Sequence, residues 1–358
     1  MTTDEKIQLI EQVGEEITTT DDLRALLESG KPLIAYDGFE PSGQIHIAQG
    51  ILRAININKM IKAGFTFKML VADWHAYLNN KLGGDINKIQ TTGKYFIEVW
   101  RACGMDLDHV EFIWSSDMVH KPDYWELVMK VSTHVSLNRV LRTTQIMGRD
   151  DKDALTAAQI LYPIMQTADI FTLGAHATQL GMDQRKVNML ARQIGEEVGY
   201  YKPVVISNHM LLGLDKPASD ITDTKERAIA LKMSKSKPDT AIFMTDTQED
   251  IERKITKAWC PEGIVDENPI LEYCKYILFE KFPSLTINRP EKFGGAITFT
   301  SYTELEQAFV HKDVHPMDLK MTVIALLDQL LEPVRRHFKE NAEAKALLEE
   351  VTSYKVTR

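Results

Sequence analysis

Tyr36-Asp37-Gly38-Phe39-Glu40-Pro41-Ser42-Gly43-Gln44-Ile45-His46-Ile47-Ala48-Gln49 follows on an apolar run that begins at Leu33, and the junction reads as a strand, a tight turn and an incoming helix. Pro41-Ser42-Gly43 supplies the turn, a hydroxyl able to cap a helix, and a residue without Cβ beside which another molecule can approach the backbone. His46 and Gln49 are three apart, which places them on one face of the helix expected to follow. Unpaired N–H groups and the helix dipole favour an anion at such a junction, so the stretch is a candidate phosphate site. Read alone, it is equally an ordinary surface turn.

Outward from this junction, short apolar runs alternate with helical patterns. Strands are expected at Leu33–Tyr36, Phe67–Ala72, Val110–Trp114 and Val204–Ser207. Phe96, Val99, Trp100 and Cys103 recur at i, i+3, i+4 and i+7, the stripe of a helix lying on one face of the sheet. The fold class is therefore α/β, a Rossmann-like parallel sheet. From about Thr247 helical signals take over, clearest in Val323, Leu326, Leu327, Leu330, Leu331 and Val334, with Pro333 expected to bend that helix or open a new one. The chain divides into a sheet domain over 1–225, a connector over 226–246 and a mainly α-helical domain over 247–358. The connector region is polar, poor in apolar periodicity, and reads as a mobile loop.

The 358 residues carry a net charge of −9 with 44% hydrophobic and 26% charged residues, which excludes a disordered chain, a membrane protein and a general DNA binder. Any RNA contact must come from local basic patches. Cys103, Cys260 and Cys274 form no CxxC pair, so neither a disulfide framework nor a cysteine zinc site is expected, and no protein metal site is visible. The acidic N-terminal stretch lacks the features of a presequence, and no 18-residue apolar span is present, so the expected location is the cytoplasm.

A second motif is Lys232-Met233-Ser234-Lys235-Ser236, followed by Lys237. Such a run is usually a solvated face. Placed after the last sheet strand, near the carboxyl edge where α/β folds bind ligands, it can close over a triphosphate and stabilise charge on departing pyrophosphate.

With both motifs in view, the chain resembles the class I aminoacyl-tRNA synthetases, whose hallmarks are HIGH and KMSKS. KMSKS is intact, whereas HIGH is His46-Ile47-Ala48-Gln49, with Gln49 able to donate a hydrogen bond but not to carry charge. The resemblance sharpens to the archaeal and eukaryotic cytosolic tyrosyl enzymes through AYDGFEPSG, LVADWHAYLN, LYPIMQTADI, GMDQRKVNMLAR, RPEKFGG and HPMDLK, from about Leu23 to about Phe338. It implies that Tyr36 and Asp169 bind the substrate phenol, that Tyr162, Gln166 and Gln184 bind the amino group and ring edge, and that His75 lines the same pocket. It assigns the phosphates to His46 and Gln49, the nucleotide to Gly43, Met233 and Ser234, and the pyrophosphate charge to Lys232 and Lys235.

The same resemblance implies ATP with Mg2+ and tRNA(Tyr). The acceptor stem is matched by Arg142, Arg185 and Lys186, and the anticodon by Phe293, His315 and Asp318, with Cys260-Pro261 nearby. It also implies a homodimer, with an interface in an inserted segment at about 115–158. Independently, Tyr162, Gln166 and Asp169 at i, i+4 and i+7 share one helix face in an apolar segment. A site built to bond a hydroxyl rejects the analogue lacking it, and the tyrosyl enzymes are themselves the reference case, at about 10⁵ against phenylalanine without editing. A tryptophanyl enzyme, a non-catalytic RNA-binding relative and a tRNA-independent nucleotidyltransferase are the competing readings.

Overall fold

The computed structural model describes residues 1–148, 154–217, 221–222, 224–235 and 237–355, with the backbone alone at Thr224, Lys225, Ala228 and Phe293. Six strands form the main sheet: β1 (Gly14–Thr18), β2 (Ile34–Phe39), β3 (Thr66–Val71), β4 (Val110–Trp114), β5 (Ala177–Gly181) and β6 (Val204–Asn208), in the order β1-β6-β5-β2-β3-β4. All pairings are parallel except β1 with β6. The α/β expectation holds, and four strands fall where the apolar runs placed them, β4 with the same ends and the others within three residues. β1 and β5 were not foreseen. β5 is a central strand that buries Thr178 and Gln179 completely, so the apolar signature of a covered strand is broken there.

The chain runs outward from β2 through β3 to β4, then returns to lay β5 on the other side of β2. This strand reversal opens a crevice at the carboxyl ends of β2 and β5, where open α/β sheets bind ligands. The Ile86–Ala102 helix covers one face with the expected stripe. It comes so close that a Cβ on Gly93 would stand 2.7 Å from Trp114 and Val71 side-chain atoms. Trp100 on this helix stacks on Phe112 with centroids 5.8 Å apart, and its Nε1 donates to the Gln49 carbonyl at 2.8 Å. Burying such an indole is worth about 4 to 6 kcal/mol at most, and here it also fixes the backbone of the phosphate-site candidate.

Helices dominate beyond Thr247, whose hydroxyl caps the Gln248–Lys257 helix. Pro316–Glu340 is one helix that runs through Pro333 rather than restarting there. A short hairpin of β7 (Leu285–Ile287) and β8 (Ile297–Phe299) interrupts the helical part, against expectation. Its strands are three residues long, too short for alternation to show. The connector, read as a mobile loop, holds a helix over Thr224–Leu231. The last helix, Ala342–Ser353, buries Ala344 and Val351 and reaches back to the sheet domain, where Thr352 Oγ1 accepts from Gln44 Nε2 at 3.1 Å. No described helix is long and apolar enough to cross a membrane.

Candidate active site

One cavity of about 1470 Å³ occupies the crevice, larger than a single small ligand requires. Tyr36, His75, Tyr162, Gln166, Asp169 and Gln184 all border it, as do His46, Gln49, Lys232, Met233, Ser234 and Lys235. Tyr36 comes from β2, His75, Tyr162, Gln166 and Asp169 from helices beside it, and His46, Gln49 and Lys232 to Lys235 from turns and isolated bridges at the carboxyl edge.

Tyr162, Gln166 and Asp169 share the Ala157–Thr172 helix, as their spacing required. A reciprocal cap starts that helix: Thr156 Oγ1 accepts from the Gln159 amide at 3.3 Å, and Gln159 Oε1 accepts from the Thr156 amide at 3.1 Å. Asp169 is fully buried. Its Oδ1 accepts from the Tyr124 hydroxyl at 2.8 Å and its Oδ2 lies 3.0 Å from His75 Nε2. Burial and the Asp169 charge push the Tyr36 phenol well above its ordinary value, and the same two causes raise Tyr124. Burial and Glu40 raise Tyr162. All three phenols are therefore neutral donors facing fixed carboxylates. Burial opposes charge on His75, but Asp169 outweighs it and raises the imidazole.

Opposite this group, the Tyr162 hydroxyl donates to Glu40 Oε1 at 2.7 Å, and Gln166 Nε2 donates to Gln184 Oε1 at 3.1 Å. Asn79 Nδ2 donates to Glu40 at 3.0 Å and Gln184 Nε2 to the Ile146 carbonyl at 3.0 Å. Sequence reasoning missed Glu40 and Tyr124. Glu40 sat inside a quoted motif without a role, and Tyr124 reads as a core aromatic of an amphipathic helix.

The phosphate-site candidate is built differently from expectation. His46 and Gln49 do not lie on a helix: His46 forms an isolated antiparallel bridge with Phe243, and the amides of Gln49 and Gly50 bond back to its carbonyl at 2.9 and 3.0 Å. The helix begins only at Ile51, with Gly50 at its cap and no side-chain cap. The apolar Ile45 and Ile47 hold the segment down as a tight turn before the helix can start. Ser42 does not cap it and instead faces Lys235 Nζ at 3.4 Å. Gly43 has φ +121°, open to glycine and strained for other residues. His46 is buried with Nδ1 lacking a protein partner. Burial, then Lys235 and Lys232, hold its imidazole well below the ordinary range, so it is neutral.

Lys232 Nζ pairs with Asp183 Oδ2 at 2.6 Å, and the Met233 amide donates to the Leu211 carbonyl at 2.8 Å. Lys235 Nζ lies 4.6 Å from the Phe96 ring centroid, and burial, then Lys81, lower it to about 7. Ser236 lies outside the described residues. Beneath the turn, Arg53 Nε stands 3.0 Å from Asp37 Oδ2, a buried pair that sequence reasoning also passed over. No group of three or more His, Cys, Asp or Glu among the described residues is placed to hold a metal ion.

Arg142 is exposed on the Leu137–Thr143 helix, and Lys186 bonds the Gln145 side chain three residues further along. Arg185 is held by Glu16, with Nη2 donating to Oε1 at 2.9 Å. In the helical part, the His315 ring caps the Pro316–Glu340 helix by accepting from the Met317 amide at 3.2 Å, and Asp318 follows in its first turn. Arg289 Nη1 donates to the Asp313 carbonyl at 2.6 Å, tying the segment that precedes the turn Glu291–Phe293 to the one that precedes His315. The Phe293 side chain lies outside the described residues.

The family model for class I tRNA synthetases (W and Y) matches residues 28–332. The cytoplasmic tyrosine–tRNA ligase 1 of Arabidopsis thaliana is 47% identical over 358 residues, covering 99% of this chain and 90% of the relative. The chain belongs to the tyrosyl-tRNA synthetase family. Among solved tyrosyl-tRNA synthetases, that of Pyrococcus horikoshii complexed with L-tyrosine superposes with a TM-score of 0.91 at 39% identity, covering 98% of this chain and 100% of that one. The Leishmania major synthetase in complex with tyrosinol gives 0.90 at 44% identity, with 99% of this chain matched to 61% of that chain.

Proposed function

We propose that this tyrosine–tRNA ligase recognises its amino acid through Tyr36 and Asp169, the substrate hydroxyl donating to the carboxylate and accepting from the Tyr36 phenol. The observation that carries the reading is the fully buried Asp169 beside three neutral phenols, in one cavity with His46 and Lys235. A phenylalanine there leaves these groups buried and unpaired. Gln166, Gln184 and Tyr162 bind the substrate ammonium, with Glu40 as its counter-charge.

The substrate carboxylate attacks the α-phosphorus of ATP. A carboxylate oxygen–phosphorus bond forms, the bond to the β-phosphate bridging oxygen breaks, and pyrophosphate leaves. Neutral His46 and Gln49 donate to the phosphates, the turn at Gly43 and the Met233-Ser234 backbone hold the nucleotide, and Lys232 and Lys235 balance the charge on the leaving group. Mg2+ enters as the ATP complex, consistent with the chemistry of a site built from cationic and neutral donors. The 2′- or 3′-hydroxyl of the terminal adenosine of tRNA(Tyr) then attacks the tyrosyl carbonyl and AMP departs.

Arg142, Arg185 and Lys186 serve the acceptor stem, with Glu16 orienting Arg185. Phe293, His315 and Asp318 read the anticodon by stacking and hydrogen bonding. The division into 1–225, 226–246 and 247–358 assigns activation, the KMSKS connector and anticodon reading to successive segments. A homodimer forms through the 115–158 segment, supported by the exposure of Trp125, Met129, Leu137 and Leu141 there. The cytoplasm is the site of action, in keeping with the relative from Arabidopsis thaliana. Pyrophosphate exchange into ATP tests the reading: exchange with tyrosine alone supports it, exchange with tryptophan transfers the pocket to an indole, and no exchange leaves an RNA-binding relative.

A further inference from the structure

His209 follows β6 and borders the active-site cavity, outside every role assigned so far. Its ring stacks on Tyr276 with centroids 4.2 Å apart and planes 15° from parallel. Nε2 lies 3.1 Å from Glu272 Oε1 and Nδ1 lies 3.6 Å from Glu15 Oε2. One imidazole thus joins the edge strand β1, the end of β6 and the helix Pro269–Tyr273 of the helical part. The second Glu272 oxygen accepts from the Leu212 amide at 2.9 Å. Leu212 forms an antiparallel bridge with Lys232, flanked by Gly213 N to Leu231 O at 2.9 Å and Met233 N to Leu211 O at 2.8 Å. The KMSKS segment is therefore bonded to a strip of backbone that Glu272 holds and His209 orients.

We infer that His209 is a positioning residue for the KMSKS loop, a clasp that ties the helical part to Lys232 and Met233 through Glu272 and the Leu212 amide. A carboxylate that accepts from an amide with one oxygen and is ion-paired with an imidazolium through the other is restrained in orientation, and the backbone it holds is restrained with it. Movement of the helical part on binding RNA would then be felt at the loop that grips ATP. The inference rests on that reading of the loop.

The charges around the ring set when the clasp is closed. Glu15 and Glu272 face it directly, Lys275 and Glu16 act on Glu15, and Tyr276 covers one ring face. Burial lowers the imidazole, and the two carboxylates outweigh it and hold it up at about 9. The imidazolium interaction is complete below the ordinary value of 6.5 and is lost as pH rises through about 9.

The test is pyrophosphate exchange from pH 6 to 10 in the wild type, His209→Gln, Glu272→Gln, the double variant and Lys235→Ala. His209→Gln is expected to raise the KM for ATP about tenfold at pH 7.5, the scale of one partly buried ion pair, and to leave the KM for tyrosine unchanged. Above about pH 9 the wild-type ATP KM should climb toward that of the variant, which shows no such step and shares with the wild type only the change that Lys235 imposes near pH 7. Glu272→Gln should match His209→Gln, and the double variant should add nothing further. A His209→Gln enzyme with wild-type ATP KM and a wild-type alkaline climb overturns the inference, as does an equal rise in both KM values. Lys235→Ala separates the two levels: normal exchange there removes the loop from the chemistry, whereas slow exchange with an unaffected His209→Gln removes only the clasp.

Discussion

The Tyr124 hydroxyl donates to Asp169 across 45 residues of sequence, so the carboxylate at the floor of the pocket is aimed by a second tyrosine as well as by His75. Asp169 therefore has a fixed orientation before any substrate arrives, which lowers the cost of binding a hydroxyl.

Asp169→Asn should raise the KM for tyrosine about 10- to 100-fold, because the amide keeps a single acceptor oxygen, loses the charge paired with His75, and offers a donor where the substrate hydroxyl needs an acceptor. The KM for ATP should stay within about twofold, since the change lies on the amino-acid side. Exchange kinetics with each substrate varied in turn measure both.

Tyr124→Phe removes one donor from Asp169 and keeps the ring packed. A loss of about three- to tenfold in kcat/KM for tyrosine is expected, in line with one buried hydrogen bond. An unchanged constant would show that His75 alone suffices to orient the carboxylate.

Lys235→Ala should slow adenylate formation by about 100-fold, the scale of one lost stabilising group, with tyrosine affinity nearly unchanged, as stopped-flow measurements can show. Burial and Lys81 lower this ammonium to about 7 in the free protein. The charged form is the one that meets the phosphates, so kcat/KM for ATP should fall as pH rises through about 7, and that limb should vanish in the variant.

Binding of tRNA should weaken steeply with added salt while tyrosine binding stays level. Arg142 and Lys186 present local positive charge on a chain of net charge −9, and phosphate contacts release counterions. Arg142→Ala should reduce the salt slope by about one. Filter binding at several salt concentrations measures it.

The homodimer proposed through the 115–158 segment predicts that Leu137→Asp yields a monomer. Leu137 is 60% exposed and Met129 51%, apolar surface that a partner would cover. Light scattering that still finds a dimer would move the interface elsewhere.

The cavity face formed by Tyr162, Gln166 and Asp169 was legible because a single helix presents all three, and a period of 3.6 exposes that face in any sequence. Tyr124 and Glu40 were not, since their roles depend on contacts 45 and 122 positions away that no local spacing encodes. β5 was hidden because Thr178 and Gln179 are buried polar groups, where burial is usually inferred from apolar residues. His46 and Gln49 were placed on a helix from their spacing, but the bridge to Phe243, nearly 200 positions on, holds that segment as a turn. The two-strand hairpin and the Thr224–Leu231 helix were invisible for a simpler reason: three strand residues or eight helical ones carry too little periodicity to rise above a polar background.

Because the Ala342–Ser353 helix ends with Thr352 bonded to Gln44, the carboxyl-terminal segment arrives at the rim of the nucleotide cavity, which Val351 and Tyr354 also border. A group attached at Thr352 is thereby held next to that opening. A reporter dye on a cysteine introduced at Thr352 would sense occupancy of the cavity.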